Sequence, residues 1–315
     1  MKIVYFGTPD FAAKTLAYLL QHGVEIVAVI TKPDRPKGRS DDPVPTPVKI
    51  EVGKQHPPIP VYQPEIVSAL DFAPTLAAYQ ADLFVVVAYG EIIKQHLLEM
   101  PRLGCINLHA SLLPKYRGAA PIQRSIMQGE TETGVTIIHM SKKMDDGDMI
   151  KTVVVPIGPD ATFPEVESAL CTAGNQVLLE VIQEFSQGHI VRIPQDQSKV
   201  TFAAKIELED CEIQWTQPAL TIHNLVRAVT PHPGAWCYVS VRGEKKRLKV
   251  NKTQVITDKN GSPGEILLYG KEGLVVACGQ FAIKLIDIQL EGKKRMSAEE
   301  WIRGLPKDEL SFCRN

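Results

Sequence analysis

The chain has 315 residues, is 44% hydrophobic, and carries a formal net charge of −1 at pH 7. That length suits two domains and that composition suits a water-soluble globular protein, so a fibrous or disordered class is excluded. No apolar run approaches the roughly 20 residues of a membrane span, and Met1-Lys2 leads directly into a short strand, so a cytoplasmic protein without a membrane partner is expected.

The six cysteines are scattered without a CxxC pair, and HExxH is absent. Neither a disulfide framework nor a zinc site is suggested, and no metal is expected.

Ile3 to Phe6 is a short apolar strand, followed by Gly7-Thr8-Pro9-Asp10 and an apolar-periodic run from Phe11 to Leu20. Thr8 as N-cap and Pro9 at the first helical position predict strand, tight turn, helix. A dinucleotide fingerprint needs three glycines so that a pyrophosphate can approach the backbone; this turn has one. Val24 to Thr31 is a continuous β-branched strand, as expected where both faces are covered. Lys32 to Pro47, rich in proline and charge, predicts a surface loop. Thr46-Pro47 starts a helix running to about Lys54, Val61-Tyr62 is a brief strand, and Ile66 to Tyr79 reads as helical. Leu83 to Val87 is a buried strand that runs into Ala88 to Ile93.

Cys105 to Gln123, CINLHASLLPKYRGAAPIQ, concentrates the chemistry. In a strand, side chains two apart share a face, so Asn107 and His109 should stand side by side at the strand's C-terminal end. Open parallel sheets build their sites there. Pro114 breaks the strand, Lys115, Tyr116 and Arg117 follow, and Pro121 opens a helix. On spacing alone, a hydrogen-bonded structural histidine and a catalytic one both fit. Gly134 to His139 and Met149 to Val155 are predicted strands around a loop containing Asp145, and a long helix spans about Pro164 to Phe185. This alternation predicts an α/β fold with a doubly wound, mostly parallel sheet over residues 1–188.

Gly188 to Lys205 lacks periodicity and is expected to link the domains, with residues 189–205 as linker and 206–315 as a second domain. A helix from Pro218 to Ala228 precedes short strands at Ala235 to Val241, Arg247 to Asn251, Gly264 to Leu268, Leu274 to Cys278 and Phe281 to Ile286. Ser297 suits the cap of a last helix containing Trp301. Short strands at turn-punctuated spacing predict a small C-terminal β-barrel of OB type. Residues 205–315 hold 17 Lys/Arg against 14 Asp/Glu. So small an excess fits a solvated surface, but the local cluster Arg242, Lys245, Lys246, Arg247, Lys249 and Lys252 also suits a phosphate backbone.

The string NLHxSLLPxYRGAAPIQ resembles the signature of the 10-formyltetrahydrofolate-dependent formyltransferases, and closely that of their methionyl-tRNA branch. In that family the asparagine and histidine work with an aspartate in a segment MDxGxDxGDML. Met140 to Ile150, MSKKMDDGDMI, matches it and puts that aspartate at Asp145, with Ser141 and Lys143 replacing the family's first Asp and Gly. The resemblance covers nearly the whole chain and implies a Rossmann-like formyltransferase domain followed by a tRNA-binding barrel. It implies Asn107, His109 and Asp145 as catalytic, and Gly90, Ile92, Ser111, Leu112, Leu113 and Pro114 as contacts to the reduced folate. Arg39 corresponds to an arginine of the loop that reaches the tRNA acceptor end, although Asp41 and Asp42 stand where the family often has lysines. Lys245, Lys246 and Arg247 are the candidate tRNA contacts in the barrel.

The reaction so implied moves the formyl group of 10-formyltetrahydrofolate to the free α-amine of initiator methionyl-tRNA, by a monomeric enzyme without a metal. Formyltransferases acting on a small amine, such as glycinamide ribonucleotide or an amino sugar, share the catalytic trio. A formyltetrahydrofolate hydrolase and a non-catalytic RNA-binding protein are the other readings. The YRGAAPIQ wording and the C-terminal extension favour tRNA.

Overall fold

A computed structural model describes residues 1–36, 41–55 and 57–313. In chain order its elements are β1 (Ile3–Gly7), α1 (Asp10–Gln21), β2 (Ile26–Ile30), β3 (Arg35–Pro36), β4 (Pro43–Val44), α2 (Pro47–Val52), β5 (Val61–Tyr62), α3 (Ala73–Ala77) and β6 (Leu83–Val87). Next come α4 (Gln95–Leu98), β7 (Cys105–His109), β8 (Arg117–Gly118), α5 (Pro121–Met127), β9 (Glu132–His139), β10 (Met149–Pro156), α6 (Phe163–Ser186) and β11 (Phe202–Ala203). Two units are formed: Met1–Pro121 with Glu132–Pro156 and Glu167–Ala203, and Ile122–Thr131 with Ile157–Val166 and Ala204–Asn315.

The first unit is built on a seven-stranded sheet in the order β10-β9-β7-β6-β1-β2-β5. Strands β5, β2, β1, β6 and β7 are parallel, whereas β9 runs antiparallel to β7 and β10 antiparallel to β9. β1 and β6 are buried at every residue, which is why their sequences are uninterrupted apolar runs. Phe6, Phe84 and Tyr89 pack together, with Phe6 5.2 Å from Phe84 and 5.7 Å from Tyr89 between ring centres.

Chain order reverses at β1, which has β2 on one side and β6 on the other. The ends of β1 and β6 therefore flank the crevice in which such sheets hold ligands. Thr8 Oγ1 donates to Tyr89 O at 2.9 Å across that crevice. The expected N-cap role of Thr8 is thereby replaced: Pro9 occupies the N-cap of α1, and the hydroxyl joins two strand ends. Thr46 does cap α2, accepting from Lys49 N.

The helix expected over Ile66 to Tyr79 shrinks to α3. Val67 N donates to Glu91 Oε1 at 2.8 Å, and Ser68 Oγ accepts from Lys94 N at 2.9 Å. These tertiary bonds take backbone and side-chain groups that a helix would arrange otherwise. The proline-rich loop contains a two-residue ribbon of β3 and β4, and Arg39 lies outside the described residues.

The second unit contains α7 (Ala219–Val229), β12 (Ala235–Val241), β13 (Glu244–Ile256), β14 (Ile266–Gly270), β15 (Gly273–Ala277), β16 (Ala282–Leu290), β17 (Met296–Ser297), α8 (Ala298–Ile302) and β18 (Leu310–Phe312). Its sheet, in the order β14-β15-β16-β13-β12-β18 with β17 beside β16, is antiparallel and barrel-like. β13 is longer than the expected Arg247 to Asn251: its Glu244–Val250 part pairs with β12 and its Leu248–Ile256 part with β16, and register shifts at Val250 to Thr253 bend it between the two. Ser297 and Glu300 form a capping box on α8. Among the described residues no helix is long and apolar enough to cross a membrane, and no cluster of His, Cys, Asp or Glu could hold a metal ion.

Candidate active site

Strand alternation places Asn107 and His109 on one side of β7, between β6 and β9. Val86 lies beside Asn107 on β6, and Thr136 lies beside His109 on β9. Asn107 is half-buried, and its amide forms no side-chain hydrogen bond among the described residues, so its N–H groups are free to donate. His109 is buried. Its Nε2 lies 3.0 Å from Tyr116 O, and a carbonyl only accepts, so Nε2 carries a proton. Nδ1 faces Asp145 Oδ2 at 3.6 Å. A carboxylate there stabilises any positive charge the ring acquires.

Asp145 is held from two directions. Its Oδ2 accepts from Gly118 N at 2.9 Å, and its backbone O accepts from Gln195 Nε2 at 2.8 Å. The backbone of Asp145 is left-handed, with φ 52°, a conformation that costs a non-glycine residue about 1–3 kcal/mol and persists only where surrounding bonds fix it. The loop ends are tied by His139 N donating to Asp148 O at 2.9 Å. Ser141, one of the two departures from the family pattern, hydrogen-bonds Asp146 and so closes the loop internally. Gly147 presses on the His139 carbonyl, leaving no space for a Cβ.

The turn after β7 is fastened to residues of the stretch 189–205, expected as a linker. Gly118 pairs with Ala203 in the β8–β11 ribbon, Tyr116 N donates to Thr201 Oγ1 at 2.9 Å, and Arg117 N donates to Thr201 O at 2.9 Å. Arg117 is buried, and its guanidinium donates from Nε and Nη2 to Gln195 Oε1 at 3.0 and 2.7 Å. Arg117 is thus packed inside the fold and is not a surface cation. Gln195 and Thr201 carry no periodic or motif signal that would have singled them out, whereas Gly118 lies within the quoted YRGAAPIQ string.

Of the candidate folate contacts, Ser111 is fully buried, and its hydroxyl donates to Lys115 O at 2.7 Å, inside the turn. Thr136 Oγ1 donates to Ser111 O and accepts from Leu113 N, binding the turn to β9. Leu113 is buried, whereas Leu112 and Pro114 are half-buried. Gly90, at φ 86°, and Ile92 are exposed beyond β6, next to the switch point. Tyr89, between them and the core, has its phenol pushed well above the usual range by burial and, secondarily, by Glu91.

In the second unit, Lys245 and Arg247 alternate along β13 against the aromatic rings of β12. Arg247 lies 4.1 Å over the Trp236 ring and Lys245 Nζ lies 4.1 Å over that of Tyr238. Arg247 Nε and Nη2 have no hydrogen-bond partner among the described residues. Lys246, on the opposite face, pairs with Glu244 at 2.8 Å.

This combination of sheet and barrel is that of a formyl transferase. Residues 1–182 match the formyl transferase family and residues 205–306 match the formyl transferase C-terminal domain. The chain is 61% identical over its full length to the methionyl-tRNA formyltransferase of Protochlamydia amoebophila, covering 98% of that protein. It is 44% identical to that of Chlamydia abortus, over 100% of this chain and 98% of the relative. HypX from Aquifex aeolicus, solved in complex with tetrahydrofolic acid, shares the fold at a TM-score of 0.65 and 18% identity, over all of this chain and 51% of that one. The chain belongs to the methionyl-tRNA formyltransferase family.

Proposed function

We propose that the protein transfers the formyl group of 10-formyltetrahydrofolate to the free α-amine of initiator methionyl-tRNA in the cytoplasm, acting as a monomer. The observation that carries this reading is the approach of Asp145 Oδ2 to His109 Nδ1 at 3.6 Å beside an uncommitted Asn107 amide. Formyl transfer between two nitrogens passes through a tetrahedral carbon bearing an oxyanion. The entering amine must lose a proton and the leaving nitrogen must gain one.

Asn107 donates an N–H to the developing oxyanion, a preorganised contact that needs no rearrangement as charge forms. His109 takes the amine proton on Nδ1, because Nε2–H is already committed to Tyr116 O. The resulting imidazolium is held between that carbonyl and the Asp145 carboxylate, and it returns the proton to the departing nitrogen. The formyl donor is a co-substrate; the exposed backbone at Gly90 and Ile92 and the Leu112 to Pro114 turn are the surfaces assigned to it. Arg39 and the cation–aromatic face of β12 and β13 are assigned to the tRNA, with phosphate contacts from Lys245, Lys246 and Arg247. We assign the chemistry to the first unit and acceptor affinity to the barrel.

Incubation of the protein with 10-formyltetrahydrofolate and methionine-charged initiator tRNA tests the reading directly. Formylmethionyl-tRNA should accumulate one for one with tetrahydrofolate. Folate turnover at the same rate without tRNA would identify a hydrolase instead, and RNA retention without turnover would identify a binding protein.

A further inference from the structure

Gln195 lies in the stretch that the sequence marks only as a connection, yet it is buried and both ends of its amide are fully engaged. Nε2 donates to Asp145 O at 2.8 Å and to Gly147 O at 2.8 Å. Oε1 accepts from Arg117 Nε at 3.0 Å and from Arg117 Nη2 at 2.7 Å. A guanidinium only donates and a carbonyl only accepts, so the orientation of this amide is fixed by its partners. One side chain thus connects the turn after β7, through Arg117, to the loop that carries Asp145.

We infer that Gln195 is a positioning residue for formyl transfer: its amide holds the Asp145 loop against the turn so that the carboxylate faces His109 Nδ1. The inference rests on the role proposed above for Asp145. Three features support it beyond the contacts themselves. Asp145 has left-handed backbone, which needs bonds on both sides to persist, and Gln195 supplies the one to its carbonyl while Gly118 N supplies the one to its carboxylate. Gly147, the second carbonyl partner, abuts the backbone of β9, so the tether acts on a loop already fixed at that point. Only a primary amide carries two acceptor sites and two N–H donors at one planar terminus. Glutamate keeps the first set and loses the second, and leucine loses both.

That difference supplies the experiment. Gln195→Glu preserves the acceptors for Arg117, and adds charge complementarity to a guanidinium that meets only glutamine oxygens among the described residues. It therefore keeps the structural bond while setting a carboxylate against two carbonyl oxygens of the Asp145 loop. If Gln195 positions the loop, Gln195→Glu lowers kcat about 10- to 100-fold with both KM values unchanged. The thermal midpoint of the full chain falls less than in Gln195→Leu, which loses the Arg117 bonds as well. The ring-nitrogen resonances of His109 move toward those of Asp145→Ala, because Nδ1 no longer faces a carboxylate. Wild-type kcat in Gln195→Glu, together with loss of activity in Asp145→Ala, would show that Gln195 merely partners Arg117 and would overturn the inference. Wild-type kcat in Asp145→Ala would remove the site reading itself, and the positioning role with it. Gln195→Leu, which loses both sets of bonds, should fall at least as far as Gln195→Glu.

Discussion

Gly118 lies against Ala203 with no room for a side chain: a Cβ on Gly118 would stand 2.6 Å from the Ala203 carbonyl oxygen. Its φ of 127° belongs to a region that only glycine occupies readily, and its N–H is the donor that aims the Asp145 carboxylate. Gly118→Ala should therefore open the β8–β11 ribbon, destabilise the protein by about 1–3 kcal/mol and lower kcat. Denaturant titration and steady-state kinetics on one preparation check both effects; a variant with unchanged stability would show that the ribbon yields freely.

Asn107→Ala tests the oxyanion role. Removing a preorganised donor of this kind costs about 100- to 1000-fold in kcat. The affinity for tRNA should be unaffected. Near-normal formylation by the variant at saturating substrates would take the oxyanion role away from Asn107.

Ile106 and Leu108, which flank Asn107 along β7, point to the opposite face, where both are buried. Ile106→Val should cost about 0.5–1.5 kcal/mol of stability and leave kcat per folded molecule near wild type. A large kcat loss there would mean that the two faces of the strand are not functionally separate.

Two histidines predict how stability responds to acid. Burial, aided by Arg192 and only partly opposed by Val191 backbone and Asp148, holds the His139 imidazole below its ordinary value. Burial does the same to His223, against the opposing pull of Asp160 and with help from Arg227. Each ring stays neutral in the fold at a pH where the unfolded chain, titrating near about 6.5, already takes up a proton. Stability from these groups is thus complete above about pH 6.5 and is lost as pH falls toward the depressed folded values. Urea midpoints from about pH 7.5 to about pH 5.5 should decline, and His139→Gln with His223→Gln should flatten the decline. An equally steep decline in the double variant would assign the effect to other groups.

The barrel's basic cluster should announce itself in salt dependence. If Lys245 and Lys246 neutralise phosphates, replacing both with alanine lowers the log–log salt slope of tRNA binding by about 0.7–0.9 for each phosphate left without its lysine. Formyl transfer at saturating tRNA should continue at the wild-type rate. A slope identical to that of the wild type would place the phosphate-binding cations elsewhere.

Much of this architecture was legible in the sequence because it rests on short-range pattern. Alternation put Asn107 and His109 on one strand face, uninterrupted apolar runs marked β1 and β6, and Thr46 and Ser297 announced their helices. Asp145 was reachable only through the MSKKMDDGDMI segment, since nothing in a loop's periodicity points at a distant strand. Ile66 to Tyr79 failed because Glu91 and Lys94 recruit that stretch by tertiary hydrogen bonds, which helix propensity does not record. Gln195 and Thr201 were invisible for a related reason: a side chain or hydroxyl that bonds a distant backbone leaves no mark in its own neighbourhood.

The fastening of Gly118 by Ala203 also bears on the order in which the protein matures. Synthesis delivers β7 and the aspartate loop early, but the residues that tether them come only after the long helix α6. A nascent chain halted just past that helix would display Asn107, His109 and Asp145 without the clasp that aligns them. Catalytic competence of the first unit should begin once Ala203 has emerged from the ribosome, and not when the helix has.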